Sequence, residues 1–196
     1  RQRQLLLGAA VTVIDRDRGH VFVQSRRDGY CGWLKEGAAG RGPEPTHWVV
    51  APSAHLYTEP VVQAPERAGI SLGSRVAVTG SWGAWASTPH GYVPLCHIRP
   101  LDQWAPDPVS VAESLLGTPY LWGGNSRFGI DCSGLVQVAL HATGQDCPGD
   151  SDMQMQIGRG LSPDEALNRG DLIFWQGHVA IVRDATSARV YVDGRA

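Results

Sequence analysis

The chain has 196 residues, of which 42% are hydrophobic and 18% charged, and its formal net charge is −2. This length and composition are typical of a globular protein with one large domain or two to three small ones. The sequence has no basic run, which argues against nucleic acid as a partner, and no apolar run approaches the roughly 20 residues that cross a bilayer.

The N-terminus and the cysteines bear on localisation. Residues 1–7 lack the apolar core and cleavage site of a signal peptide, but the sequence begins without Met, so export stays open. Cys31, Cys96, Cys132 and Cys147 form no C-x-x-C pair and predict neither a disulfide framework nor a zinc site. Unpaired thiols favour a reducing compartment. Because Cys31 and Cys96 lie in strand-like runs, we expect them to be small buried residues.

The first hundred residues predict strands and turns, in a pattern that occurs twice. Residues 8–13 correspond to residues 73–78, 65 positions later, and a second pair of segments repeats at an offset of 62. Two diverged copies of one small β-barrel, each of about 50 residues, are the simplest explanation. We place the first barrel at residues 1–42 and the second at residues 46–101.

A change in composition near residue 107 marks a third region. Asp107 is placed to cap a helix whose first residue is Pro108 and which Gly117 ends. A second helix is predicted from Cys132 to about His141. Its apolar positions cover a broad face, which indicates packing on a sheet.

The rest of this region is predicted to contain two short helices followed by strands. The helices are expected after Asp150 or Ser151, stopping at Gly158, and from residues 162–165, and the strands at residues 171–175, 178–183 and 189–192. Helices followed by antiparallel strands predict an α+β fold for a third domain at residues 107–196.

Two reactive side chains lie at the edges of these elements. Cys132 begins a helix, and since a helix N-terminus favours negative charge, its thiol is expected to lose its proton more easily. His178, 46 residues later, opens an apolar strand. A cysteine and a histidine in such positions are the minimum for a thiol peptidase. The alternatives are a buried structural cysteine and a capping or surface histidine.

Four motifs in this region resemble those of the NlpC family of bacterial cell-wall cysteine peptidases, a papain-like group. They are G-T-P-Y-L-W-G-G at residues 117–124, D-C-S-G-L at 131–135, R-G-D-L-I-F at 169–174 and G-H-V-A-I at 177–181. The resemblance implies an α+β papain-like catalytic domain preceded by two small SH3-like β-barrels. This domain order resembles the subgroup that cuts γ-D-glutamyl–diamino acid bonds in peptidoglycan stem peptides with a free N-terminal L-Ala.

The resemblance assigns roles to the residues around the cysteine. Cys132 is implied to be the nucleophile and His178 the general base. The hydroxyl of Tyr120, 12 residues before the cysteine, is implied to help hold the oxyanion together with the Cys132 backbone N–H. Asp131 and Ser133 are implied to line the substrate site. Asp131 is also placed to cap the helix, and it can fill both roles.

Three more residues resemble substrate-binding residues of the subgroup. Asp150 and Ser151, 18 and 19 residues after Cys132, match an Asp-Ser pair that contacts the amino end of the substrate. A carboxylate suits an ammonium group, and the alternative for this pair is a helix cap. Tyr30 matches a tyrosine of the first barrel that closes the pocket over the L-Ala. Its alternative is ordinary packing in the barrel.

One expected residue of the family is missing. A third polar residue, usually His, follows the catalytic His by about 12 positions and orients its imidazole, but Val190 stands there. Asp193 is a weak candidate for this role. The sequence leaves three explanations: further residues lie outside the chain, Asp193 replaces the missing partner, or the protein is weakened or inactive.

The sequence therefore predicts a cysteine peptidase that acts on peptidoglycan stem peptide fragments through a Cys132 thioester. A catalytically weak or inactive murein-peptide binding protein is the alternative, and an acyltransferase or amidase on the same scaffold is a third class. No metal or organic cofactor is expected. The thiols slightly favour the bacterial cytoplasm. The sequence predicts neither the oligomeric state nor whether the diamino acid is diaminopimelate or lysine.

Overall fold

The chain forms two compact units. The computed structural model describes residues 2–162, 164–184 and 189–190, the last two by their backbone alone. One unit, here called the strand unit, is Leu5–Trp104, and the other, the mixed unit, combines Arg1–Gln4 with Ala105–Ala196. The predicted barrels fall within the strand unit except for residues 1–4 of the first barrel, which belong to the mixed unit. The division into two barrels stays a prediction.

The strand unit contains three antiparallel sheets. Its strands are β1 (Val11–Asp17), β2 (His20–Ser25), β3 (Cys31–Lys35), β4 (His47–Val49), β5 (Ser53–Tyr57), β6 (Glu66–Ser71), β7 (Arg75–Val76), β8 (Gly80–Trp82), β9 (Trp85–Thr88), β10 (Gly91–Pro94) and β11 (Ile98–Pro100). The sheet orders are β1-β2-β3, β6-β5-β10-β9-β8 and β11-β4-β7. Gly29, in the turn between β2 and β3, has a positive φ of 73°.

The repeated segments share a backbone feature. Gly8 and Gly73, equivalent positions of the repeat, both have positive φ, at 76° and 87°. At Gly8 a side chain is also excluded by space, since a Cβ there would lie 2.1 Å from the carbonyl oxygen of Arg75. The second copy contains a buried apolar cluster, formed by Val49, Ala54, Leu56, Ile70, Val76, Ala86, Val93 and Ile98.

The expectation that Cys31 and Cys96 are buried is wrong. Both thiols are exposed. Cys31 takes an outward-facing position at the start of β3, where alternate residues point away from the packed face. Cys96 lies in a 3-10 turn, Leu95–His97, that contains no buried residue.

The mixed unit combines helices with a three-stranded antiparallel sheet. Its elements are α1 (Pro108–Ser114), β12 (Asn125–Ser126), β13 (Gly129–Ile130), α2 (Cys132–Ala142), α3 (Ser151–Gln154), β14 (Leu172–Trp175), β15 (His178–Asp184) and β16 (Arg189–Val190). The sheet order is β14-β15-β16. Helix α2 packs on β15, and α1 contacts both of them. The predicted antiparallel strands after the helices are confirmed, but an antiparallel pair that was not predicted, β12 and β13, lies between α1 and α2.

Most of the predicted helix boundaries in this unit are confirmed. The carboxylate of Asp107 accepts hydrogen bonds from the backbone N–H of Val109 (3.1 Å) and Ser110 (2.9 Å), which caps α1. Gly144 follows the end of α2 with φ 80°, as expected of a helix C-terminus. No helix in the described part of the chain is long and apolar enough to cross a membrane.

The helix predicted from residues 162–165 is wrong. Among the described residues of this segment the chain makes a turn. The Glu165 carboxylate accepts from the Ser162 backbone N–H at 2.9 Å, as in a capping box, but it also pairs with the Arg159 guanidinium. That ion pair and the Ser162 contacts lower the pKa of Glu165 to about 2. The carboxylate is thus tied to the preceding loop, and β14 begins seven residues later, which leaves little room for a helix.

Candidate active site

One carboxylate organises the start of α2. Asp131 is only 8% exposed and occupies the N-cap position. Its Oδ1 accepts from the backbone N–H of Gly134 (2.6 Å) and from the hydroxyl of Ser133 (3.2 Å), while Oδ2 accepts from the backbone N–H of Gly123 (2.8 Å). Asp131 therefore caps α2 and at the same time ties it to the loop at residues 119–124.

The same loop packs directly on the helix backbone. A Cβ at Gly134 would lie 2.3 Å from the Gly124 carbonyl oxygen, and one at Gly124 would lie 2.4 Å from the Gly129 carbonyl oxygen. Contacts this close exclude any side chain at these two positions. The two glycines of the motifs therefore let the loop and the first turn of α2 approach each other, and Tyr120 is held at the end of that loop.

A cavity of about 260 Å³ lies between this loop, α1, α2 and β15, and Cys132, His178 and Tyr120 all line it. Asp131 lines it as well, whereas Ser133, Asp150 and Ser151 do not. The three residues that the sequence predicted to be catalytic thus share one cavity. Much of its remaining wall is apolar, with Leu115, Leu116, Leu135, Val136, Val179 and Ile181.

Backbone N–H groups surround the sulfur of Cys132. The N–H of Val179, the residue after His178, donates to this sulfur, and the N–H groups of Cys132 and Ser133 act in the same direction. All three favour the thiolate and lower its pKa. The contact from Val179 places the sulfur beside the first residues of β15, next to the histidine.

Burial outweighs these donors. The pKa of the Cys132 thiol is raised above its ordinary value, first because the sulfur is removed from water and second because the negative charge of Asp131 is adjacent. The expectation that the helix start alone makes this thiol lose its proton more easily is therefore wrong. The N–H groups at the helix start favour the thiolate, but burial and the adjacent carboxylate together outweigh them.

This pKa has a measurable consequence. In the absence of substrate, we expect the rate of Cys132 alkylation by iodoacetamide to rise with pH to a midpoint above that of a free cysteine, about 8.5. A raised pKa means a smaller thiolate fraction at any given pH, which moves the midpoint upward. Peptide mass spectrometry separates Cys132 from the other three cysteines. A midpoint at or below pH 7 would contradict this prediction and would show a preformed thiolate–imidazolium pair.

His178 is held by the turn between β14 and β15. It pairs with Trp175 across this hairpin, and the two rings lie 5.8 Å apart between centroids. Its Nε2 is buried and has no hydrogen-bond partner among the described residues. The orienting residue of the family is expected near Val190, whose backbone belongs to β16, while Asp193 lies outside the described residues.

Comparison with protein-family models matches both ends of the chain. The model of the NlpC/P60 family matches residues 117–195, and that of the bacterial dipeptidyl-peptidase Sh3 domain matches residues 1–38. The chain carries an NlpC/P60 domain. Its cysteine, its histidine and the tyrosine loop all fall within the matched residues.

Similar proteins extend the match over most of the chain. Gamma-D-glutamyl-L-lysine dipeptidyl-peptidase of Bacillus cereus is 30% identical over 89% of this chain, and the protein of the same name in Bacillus subtilis is 31% identical over 89%. The chain spans 60% and 64% of their lengths. The crystal structure of an NlpC/P60 family protein from Bacillus cereus superimposes with a TM-score of 0.79, at 27% identity, over 93% of this chain and 70% of that one.

The predicted substrate-binding residues of this chain lie in different places. Asp150 occupies the N-cap position of α3, but its side chain makes no cap hydrogen bond there. Ser151 is the first residue of that helix. Ser133 is buried, with its hydroxyl bound to Asp131. Tyr30 follows the turn before β3 in the strand unit, where its backbone N–H donates to the Asp28 carboxylate at 3.2 Å. The roles of all four in binding stay predictions.

Sequence reasoning missed several polar residues behind the site. Gln137 and Gln154 are 3% and 0% exposed, on the buried sides of α2 and α3. Gln154 Nε2 donates to the Ser133 carbonyl at 3.0 Å, which docks α3 against the first turn of α2. The signal for Gln137 was present, since a single amide interrupts an otherwise apolar helix face. Among the described residues, no group of three or more His, Cys, Asp or Glu is placed to hold a metal ion.

Proposed function

We propose that this protein is a cysteine peptidase that hydrolyses the amide bond between γ-D-glutamate and a diamino acid in peptidoglycan stem peptides. The observation that carries the proposal is the cavity shared by Cys132, His178 and Tyr120, with the Val179 N–H donating to the sulfur. The two Bacillus relatives named gamma-D-glutamyl-L-lysine dipeptidyl-peptidase support this bond as the one that is cut.

The chemistry follows from these groups. The sulfur of Cys132 attacks the γ-carbonyl carbon while His178 takes the thiol proton, because a thiol with a raised pKa carries little thiolate beforehand. The Tyr120 hydroxyl and the Cys132 backbone N–H stabilise the oxyanion. His178 then protonates the leaving amine as the C–N bond breaks, which releases the diamino acid and leaves a thioester. Water, deprotonated by His178, attacks the thioester and restores the thiol.

We further propose that the enzyme selects substrates with a free N-terminal L-Ala. Asp150 supplies a carboxylate for the ammonium group, with Ser151 beside it, and the charge of Asp131 adds to the attraction. Ser133 contributes its backbone, and Tyr30 covers the L-Ala. This selection directs the enzyme to released murein fragments, because the L-Ala of intact wall is bound to the glycan.

Two SH3-like barrels, at residues 1–42 and 46–101, are proposed to precede a catalytic domain at residues 107–196. The family model at residues 1–38 supports the first barrel. The positive φ angles of Gly8 and Gly73 and the apolar cluster of the second copy support a repeat.

The test is a hydrolysis assay with defined peptides. The protein is incubated with L-Ala-γ-D-Glu-L-Lys, with the diaminopimelate peptide and with the N-acetylated form of each, and free diamino acid is measured by mass spectrometry. We expect release from at least one unblocked peptide, and a kcat/KM at least about tenfold lower after acetylation, since acetylation removes a charge-assisted contact. A folded protein that binds the peptides without releasing diamino acid would be the binding protein of the alternative hypothesis.

A further inference from the structure

The N-terminal segment of the chain belongs to the mixed unit, where the side chain of Arg3 is half-buried. Its Nη1 donates to the carbonyl oxygen of Gly149 at 2.6 Å, and its Nη2 donates to Oε1 of Gln137. One guanidinium therefore connects two segments that lie 134 and 146 residues away in the sequence. A planar fork of donors suits such a bridge, because it reaches two acceptors at once.

The acceptors of Arg3 are themselves held in place. Gln137 is 3% exposed, and its Nε2 donates to the carbonyl oxygen of Cys147 at 2.9 Å. The Asn125 side-chain amide lies 3.0 Å from the Gln137 Oε1. Arg3 thus completes a network of polar side chains around the buried Gln137, and this network ties α2 to the residues around Cys147.

The neighbours of Arg3 hold the tyrosine loop in a similar way. The side chain of Gln4 accepts from the backbone N–H of Asn125 at 2.9 Å. The backbone of Gln2 packs on Gly123, where a Cβ would lie 2.7 Å from the Gln2 carbonyl oxygen. Gly123 in turn donates to Asp131 beside the nucleophile. The segment at residues 2–4 is therefore built into the loop that carries Tyr120.

The Gly149 carbonyl is the important contact, because Asp150 and Ser151 follow it directly. Downstream, Gln154 Nε2 donates to the Ser133 carbonyl at 3.0 Å and to the Pro148 carbonyl at 2.9 Å. The two candidate ligands for the substrate ammonium group thus lie between two anchors, Arg3 on one side and Gln154 on the other.

We infer that Arg3 is a positioning residue for recognition of the substrate's amino end, acting through the Gly149 carbonyl on Asp150 and Ser151. The inference rests on the proposed function, in which Asp150 binds the ammonium group. Arg3 touches no reacting atom in this scheme. Its loss affects binding of the free amine and leaves the thiol chemistry at Cys132 in place.

The test compares Arg3→Ala and Arg3→Lys with the wild type, using Arg16→Ala as a matched control. Arg16 is an exposed arginine of the strand unit that pairs with Glu36. For the unblocked tripeptide we expect Arg3→Ala to raise KM about tenfold, with kcat changed less than about threefold, the loss expected of one charge-assisted contact. Arg3→Lys should raise KM less, because an ammonium group can keep the Gly149 contact but not the fork.

Two readouts separate positioning from general damage. For the N-acetylated tripeptide KM should be the same in all variants, since this peptide has no N-terminal ammonium group. The rate of Cys132 alkylation should also stay within about twofold of the wild type, as expected if the nucleophile is unaffected. An unchanged KM for the unblocked peptide, or equal losses with both peptides and in alkylation, would overturn the inference. If Arg3→Ala does not fold, the same comparison with Arg3→Lys decides.

Hydrogen exchange tests the inference separately from the proposed function. The backbone N–H of Gln154 donates to the Asp150 carbonyl at 2.9 Å, and that of Met155 to the Ser151 carbonyl at 3.2 Å. Arg3→Ala should raise exchange at these two amides and leave the amides of α2 protected. If the wild type hydrolyses neither peptide, the proposed function fails, and unchanged exchange at α3 would overturn the role of Arg3 independently.

Discussion

Replacing Cys132 with alanine is expected to lower kcat/KM for the unblocked tripeptide by at least about 10⁴-fold, because the variant has no atom that can form the thioester. Among the described residues that line the cavity, Cys132 carries the only thiol. The hydroxyls of Thr118 and Tyr120 also line the cavity, but neither lies at a helix N-terminus with backbone N–H groups around it. The effect should fall on kcat, since binding of the amino end does not involve the sulfur.

The matched control is Cys96→Ala, which removes an exposed thiol of the strand unit and should keep the wild-type rate. Circular dichroism and the melting temperature show whether Cys132→Ala remains folded. We expect only a small loss of stability, since the thiol is half-buried and alanine favours a helix. Turnover by Cys132→Ala close to that of the wild type would remove this residue from the mechanism and, with it, the proposed reaction.

Local rules were enough to predict the start of the two longest helices. Asp107 before Pro108 and Asp131 before Cys132 each place a carboxylate at an N-cap, and the structure shows both bonded to backbone N–H groups. The hairpin from β14 to β15 was equally visible, because two apolar runs flank a short turn. These features depend on neighbouring residues alone, which is why one sequence is sufficient to predict them.

Features that depend on tertiary contacts were not accessible in this way. The exposure of Cys31 depends on which face of β3 is covered, and alternation alone does not say which face that is. The raised pKa of Cys132 reflects burial of the sulfur against β15, 46 residues away, which outweighs the backbone N–H groups at the helix start. The contact of Arg3 with Gln137 spans 134 residues and follows no motif.

Asp131→Asn is expected to have opposite effects on the acidity of the thiol and on turnover. Removing the negative charge beside Cys132 removes one cause of its raised pKa, so the pKa should fall. The alkylation midpoint should therefore move to lower pH than in the wild type. A more acidic thiol would by itself favour attack.

The same substitution damages the site that uses the thiol. The side-chain oxygen of Asn can still accept from the Gly134 N–H, but its NH₂ group then faces the Gly123 N–H. Two donors therefore meet where Asp131 accepts a 2.8 Å hydrogen bond. We expect a loss of about 2 kcal/mol in the free energy of unfolding, the cost of leaving a buried donor without its acceptor. Release of this bond frees the loop of Tyr120, so kcat should fall about tenfold or more.

Asp107→Asn separates these effects. Asp107 caps α1 through two backbone N–H groups, much as Asp131 caps α2, but it does not line the cavity. Its substitution should lower stability without moving the alkylation midpoint or kcat. We expect three measurements to distinguish the two carboxylates: urea unfolding, the pH profile of Cys132 alkylation and tripeptide kinetics. Asp107 should affect stability alone, whereas Asp131 should also affect catalysis. If the alkylation midpoint of Asp131→Asn stays in place or moves to higher pH, the Asp131 charge does not raise the pKa of the Cys132 thiol.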